Sequence, residues 1–506
     1  MKTWILLFAL LASSQVTADA DHHHPDAIGQ QKLGSTDFPI SCTPAAGGEF
    51  NRAVAMLHSF WYDEANKTFR RLAESEPDCA MAYWGIAMSL YRQLWATPPA
   101  DAELREARVA LQKAKTLTVK SEREQLYLAA VGVLYREQQT DYGKRKRAYE
   151  QAMAKVQARF PDDPEANVFY ALALISTASL QDKTYAQQKK ALELLQKVLD
   201  AEPNHPGVAH YIIHASDNPE LAKLGLAAAR SYARIAPVVP HALHMPSHIF
   251  IRLGFWQDAA ESNLAASSAA KAYAGDNFPG KVWDQQLHYM DYMLYAYLQS
   301  GRLDKAEAIW RETKAIKKTH PENTTSAYAL AAIPSRYAIE RRAWSEAAKL
   351  AVRPLAFPWE KFGWCEAITH FAKGLGAARS GDPATARASL RRLEALRDAA
   401  KTANNAYAAD QIEIQRLAVA AWIEHADKQD QEAERLLRAA ADLEDATEKD
   451  NVTPGAIIPA RELLGDLLLD MRRPEDALKE YKASLQRTPK RINGLLGAER
   501  AAKRLN

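Results

Sequence analysis

Cysteine is scarce: Cys42, Cys79 and Cys365 are the three in 506 residues, and no two of them form a C-x-x-C pair. A zinc site built from cysteine therefore has no support. Two readings stay open, a Cys42–Cys79 disulfide in an oxidising compartment or three small buried hydrophobes. An excess of one charge is missing too. With 65 basic and 62 acidic side chains the formal net charge is +3, which leaves no electrostatic footprint for nucleic acid. After the N-terminal region no segment is apolar enough to cross a membrane. G-x-S-x-G, P-loop and dinucleotide fingerprints are absent, so the common nucleophile-elbow and nucleotide-binding chemistries have no foothold. Glycine (21) and proline (24) are sparse and cluster between periodic segments. Alanine is abundant instead, a balance that favours many short, closely packed helices.

What is present begins with an export signal. Lys2 precedes the apolar run from Trp4 to Ala12, too short to span a bilayer, and Ala18-Asp19-Ala20 is an A-x-A cleavage signature. Residues 1–20 are thus expected to be removed, leaving a periplasmic or secreted protein. Residues 21–45 have no helical period and should form an extended leader. Cleavage after Ala20 would place His22-His23-His24 at the mature terminus, where a free amine and a histidine can chelate copper or nickel; a solvated polar leader is the plainer reading.

From residue 46 to 500 a unit recurs. It is clearest in "ARELLGDLLLDMRRPEDALKEYKASLQRTP", Ala460 to Pro489, with Leu464-Gly465, Leu468, Ala477, Tyr481 and Pro489. Other copies carry Ala65, Phe69 and Pro77; Ala191, Leu195 and Pro203; Ala306 and Trp310; Ala386 and Leu390; Ala433 and Leu437. Gly254, Gly301 and Gly381 each stand five residues before the equivalent alanine. This pattern resembles the tetratricopeptide repeat, a helix-turn-helix unit of about 34 residues, with Arg461 where that family usually has tryptophan. Periodicity alone implies helical hairpins that stack because none can bury its apolar face by itself. The resemblance adds a right-handed all-α solenoid, a single continuous repeat domain of roughly eleven or twelve hairpins, in an exported bacterial member of the family.

The resemblance also implies which positions face a ligand: the second, fifth and ninth of each first helix line a concave groove. In successive units these are Gly207, His210 and His214; His241, His244 and His248; His288, Asp291 and Tyr295; Ala329, Ala332 and Arg336. The fourth unit repeats the second unit's Pro-Ser pair, Pro246-Ser247 against Pro334-Ser335, yet keeps none of its histidines. The prolines therefore read as framework that bends a helix, and the histidines do not. Taken singly, each histidine is an ordinary hydrogen-bonded wall residue. Six on one stripe of three consecutive hairpins are a candidate site, since adjacent packed helices lie roughly 8–10 Å apart.

Two functions follow, of different classes. One is a non-enzymatic scaffold that binds a protein or peptide partner in its groove through His210, His214, His241, His244, His248, His288, Asp291, Tyr295 and Arg336. The other is a metal-binding protein or metalloenzyme whose ligands are His210, His214, His241, His244 and His248, with zinc, copper or nickel as the metals imidazole suits. Asp217 and Asp291 are candidate further ligands, or partners that fix a histidine tautomer. His210 and His214 have the i, i+4 spacing of a zinc helix, but Tyr211 stands where a metalloprotease keeps its glutamate, which disfavours a hydrolase. Met81, Trp84 and Met88 either continue the groove as an apolar end or pack beneath the leader.

Overall fold

The computed structural model describes residues 32–94, 99–136 and 141–505. The expected signal segment and His22–His24 lie outside the described residues. Antiparallel helical hairpins follow one another along the chain, among them Asp284–Gln299 with Leu303–Ala315, Gly363–Ser380 with Pro383–Thr402, Ala406–Ala426 with Asp430–Ala446, and Ala460–Asp470 with Pro474–Arg487. Among the described residues the strands are Val282–Trp283 and Thr319–His320, two residues each and paired in parallel. The architecture is an all-α solenoid of tetratricopeptide-like hairpins.

The repeat's small residues explain how the hairpins close. Ala65, Ala191, Ala306, Ala386, Ala433 and Ala477 are fully buried where second helices approach their neighbours. At Gly465 a Cβ would come within 2.8 Å of the Tyr481 ring, so only glycine lets that aromatic seat between the helices. The turn five residues before each alanine is left-handed at Gly254, Gly301 and Gly381, with φ of 69°, 73° and 82°, as helix C-termini commonly require. Phe60, Arg342, Lys428 and Arg472 take the same position before Ala65, Ala347, Ala433 and Ala477, with φ of 56° to 66°. Side chains with a Cβ bear a steric cost there, so composition alone hid these turns.

Pro334 lies inside the helix Thr324–Glu340, as the repeat alignment requires. Pro246 divides its helix: Pro240–His244 and Pro246–Arg252 flank Met245, whose φ and ψ of −54° and −35° are helical. The run therefore stays helical while its hydrogen-bond ladder breaks. His248 N donates to Met245 O, three residues back, at 3.1 Å.

Three segments fold inward. Of the expected leader 21–45, residues 33–43 are non-helical but not a free extension, and Pro44 and Ala45 already open the helix Pro44–His58: Leu33 and Phe38 are buried, and the Phe38 ring lies 5.4 Å from that of Trp84. Cys42 and Cys79 form a disulfide, while Cys365 is free and buried. At the other end, Trp256 Nε1 donates to Lys490 O at 3.0 Å. Arg491, fully buried, joins Glu340, Glu462 and Tyr295 OH. The third segment, 447–459, leaves the helix Asp430–Ala446 and runs non-helically across the inner face before Ala460–Asp470 begins. Tyr292 OH donates to Thr453 O at 2.9 Å and Tyr328 OH to Thr453 Oγ1 at 2.7 Å.

A candidate metal centre of two histidine trios

The inward segments change the meaning of the groove positions. Tyr295, Asp291 and Arg336, expected on an open ligand surface, are buried, and the chain itself occupies them. Arg336 Nη1 donates to Ala456 O at 2.7 Å and Nη2 to Gly455 O at 3.3 Å, with Asp291 Oδ1 3.4 Å from its Nε. Tyr295 OH accepts from Arg491 Nη1 at 2.8 Å. The expectation that this part of the stripe presents a free groove is corrected: a long non-helical insertion, 447–459, fills it, because carbonyls of an irregular segment must find donors when buried.

The histidines are also buried, with His210 and His244 fully inaccessible and His241 only partly exposed. They gather into two trios, His210–His214–His241 and His244–His248–His288. Each obeys one rule of the repeat. An i, i+4 pair on one first helix supplies two rings and the next first helix supplies the third, His241 as the second residue of Pro240–His244 and His288 as the fifth of Asp284–Gln299. In the first trio His210 Nε2 lies 3.0 Å from His214 Nε2 and 3.1 Å from His241 Nε2. In the second, His244 Nε2 lies 3.0 Å from His248 Nε2.

Partners on the far side of the rings fix which nitrogen faces inward. His210 Nδ1 is 2.6 Å from the His58 carbonyl, which can only accept, so Nδ1 carries the proton. His248 Nδ1 donates to Asp217 Oδ2 at 2.8 Å. His244 Nδ1 is 2.6 Å from Asn263 Oδ1, and the Asn263 amide is oriented by its own bond from Nδ2 to Ala259 O at 2.7 Å. His288 bonds the Val452 backbone of the inserted segment. A neutral ring protonated on Nδ1 presents a bare lone pair at Nε2. His244 and His248 therefore point two lone pairs at each other across 3.0 Å, a repulsive contact unless a cation lies between them.

Burial, and then the mutual proximity of the rings, hold His210, His214, His241, His244 and His288 well below the ordinary histidine value. His248 is lowered by burial, although Asp217 opposes this. Neutral imidazoles are the form that binds metal. At a metal–nitrogen distance of about 2.0–2.1 Å, tetrahedral ligand nitrogens stand about 3.3 Å apart, so the pairs His210–His214, His210–His241 and His244–His248 need to open by only a few tenths of an ångström, and the remaining ligand atoms lie within 4.8 Å of them. Asp217 serves as a tautomer-fixing partner, held there by Lys449 Nζ at 2.6 Å and Arg252 Nε at 2.8 Å. Asp291 pairs with Arg336 instead and touches neither trio through a hydrogen bond.

Sequence reasoning missed a supporting layer. His58 Nε2 is 2.8 Å and His205 Nε2 3.2 Å from the buried Glu165 carboxylate, and Tyr211 OH is 3.0 Å from His58 Nδ1. Against its burial, these two rings hold the Glu165 carboxyl far below its usual range. Although this group could also gather three ligand atoms, both imidazoles are already engaged by the carboxylate, and the His58 carbonyl anchors His210. Phe60, on the left-handed turn, sets its ring 4.3 Å from that of His210 and 5.3 Å from that of His241. No local signal marks these residues, since Glu165 is 107 positions from His58. His370 pairs with Glu366 on its own helix, and His425 with Asp430 at the start of the next one.

No protein-family model matches the sequence, and no curated protein matches it. Solved structures similar to it include a human IFIT1 dimer with m7Gppp-AAAA, at 12% identity and TM-score 0.40, covering 84% of this chain and 90% of that one. Yeast Tom70 is similar at 10% identity and TM-score 0.33, over 90% of this chain and 88% of that one. The TPR domain of P58(IPK) is similar at 14% identity and TM-score 0.22, over 91% and 98%. Likeness of this degree carries nothing about function. Among the described residues no helix is long and apolar enough to cross a membrane.

Proposed function

We propose that this protein is an exported helical-repeat scaffold whose function is to bind two transition-metal ions, one in each histidine trio. The observation that carries the reading is the pair of Nε2 atoms of His244 and His248, 3.0 Å apart with both Nδ1 atoms committed to acceptors. A buried arrangement of lone pairs directed at one point is costly without a cation. Three neutral imidazoles suit zinc, copper or nickel and leave a further coordination position for an exogenous ligand, as in catalytic sites. Export is supported by the A-x-A signature at Ala18–Ala20 and by the Cys42–Cys79 pairing, which belongs to oxidising compartments.

The scaffold that binds a peptide in its groove is the weaker reading, because Arg336, Tyr295 and Asp291 are engaged by the chain's own residues. The test is equilibrium dialysis of the full mature chain against zinc(II), nickel(II) and copper under reducing conditions, followed by elemental analysis. Two ions per chain are expected, with one in His214→Ala and one in His288→Ala. Metal-free protein after dialysis, or stoichiometry unchanged in both variants, would overturn the assignment.

A further inference from the structure

The two trios lie side by side in the interior of the solenoid. The ring centroids of His214 and His248, one from each trio, are 6.0 Å apart, and so are those of His241 and His244. Within the first trio, His214 and His241 are 6.4 Å apart. Rings of different trios thus approach as closely as the widest pair within each trio, while the other pairs of a trio stand 4.5–4.9 Å apart. The sequence builds this closeness in: His241 serves the first trio and His244, one helical turn later, serves the second, so one short helix, Pro240–His244, feeds both. Two-metal sites hold their ions about 3.5–4 Å apart, a separation such a six-ring cage can span.

The donor set then selects among metals. All six ligand atoms are imidazole nitrogens, and no carboxylate is among them. Asp217, the acid that touches the second trio, is already offset by Lys449 and Arg252; Glu165, behind the first, is held by His58 and His205. Two divalent ions would bring four positive charges into a buried site of neutral donors, where uncompensated charge is expensive. Two copper(I) ions bring half as much, and copper(I) accepts three-coordinate nitrogen ligation. Copper also heads the divalent affinity order for such ligands.

We propose that the two trios form one dinuclear copper centre that binds dioxygen between its metals, an inference that rests on the metal-binding reading. The step balances without a further reactant. Each copper(I) gives one electron, becoming copper(II), and the two electrons reduce one dioxygen molecule to a bridging peroxide dianion. No proton is consumed. The two added negative charges offset half of the four positive charges of the oxidised pair, the compensation that the protein's own ligands do not supply.

The full mature chain is loaded with copper(I) without oxygen, checked for copper content, and then exposed to dioxygen. The expected result is uptake of one dioxygen per two coppers, a new near-ultraviolet charge-transfer absorption, and almost no electron-paramagnetic-resonance signal, because bridged copper(II) ions couple. In His244→Ala, with native helicity confirmed by circular dichroism, the single remaining copper should take up no dioxygen and, once oxidised with ferricyanide, should give a full one-spin signal. Two bound coppers that show two full spins after oxidation and no oxygen uptake would overturn the dinuclear centre while sparing the metal-binding reading. Absence of bound copper with two zinc or nickel ions retained would overturn the choice of metal, and absence of any bound ion would overturn both.

Discussion

Two helical runs of this protein, 240–252 and Thr324–Glu340, are copies of one plan with opposite uses. Each places a proline-serine pair near its middle, Pro246-Ser247 and Pro334-Ser335, and each offers the residues five and two before its proline and two after it to the inner face. The first copy fills those positions with His241, His244 and His248, whose rings meet other imidazoles. The second has Ala329, Ala332 and Arg336, and its arginine holds the backbone of the segment 447–459. The framework is therefore indifferent to chemistry. What differs is charge and donor type at three positions per repeat, which decides whether the interior gathers neutral ligands or ties down the chain's own irregular stretch.

The sharpest way to break the comparison is to erase the first copy's chemistry. His244→Ala combined with His248→Ala should abolish binding in the second trio and leave the first, which metal titration reads as a drop from two ions to one. The second copy is tested by Arg336→Ala. Removing one partner of a buried ion pair costs about 3–5 kcal/mol, and Arg336 and Asp291 are both buried. Chemical denaturation should show a loss of that order, while metal stoichiometry stays at two. A loss of metal in this variant would mean that the inserted segment, not the histidine pattern, builds the site.

Smaller effects separate the layer behind the ligands from the ligands themselves. Asp217→Ala removes the partner of His248 Nδ1, and such partners are worth about 10–100-fold in metal affinity. The loss should fall on one of two binding steps in a calorimetric titration; an equal effect on both would show that Asp217 acts by general destabilisation. The smallest expected effect lies outside the site. Burial pushes Glu444 up to about 7, above its unfolded value of about 4.3. Between these values the folded chain holds more protons, so this residue's contribution to stability falls as pH rises and reaches its minimum above pH 7. Glu444→Gln should therefore be neutral near pH 4.5 and stabilising by about 1–2 kcal/mol at pH 8, less than the full shift implies because solvent reaches part of the side chain. Urea denaturation at the two pH values reads this directly.

Much of the plan was legible because it is local. The alanine five residues after a glycine marks a turn, and an i, i+4 histidine pair shares a helix face. The equivalent turns at Phe60, Arg342, Lys428 and Arg472 were hidden, since those side chains adopt a left-handed backbone only under tertiary support. The sixfold histidine stripe could be read, but its division into trios could not. That division depends on how far each helix advances along the solenoid, which periodicity does not fix. Burial of the stripe was the larger surprise. Around His288, Tyr292 and Arg336 it comes from Val452, Thr453, Gly455 and Ala456, more than 100 residues from the side chains they meet, in a segment without period or motif; around His210 and His241 the Phe60 ring contributes. The layer of His58, Glu165 and His205 was equally out of reach, being assembled across three separate hairpins.

The most direct test of the account is anomalous diffraction from crystals of the full mature chain grown with copper and measured on both sides of the copper absorption edge. Two peaks are predicted, one within bonding distance of Nε2 of His210, His214 and His241 and the other of Nε2 of His244, His248 and His288. A map without a peak at either trio, or with copper only on surface histidines such as His370 and His425, would contradict the central claim.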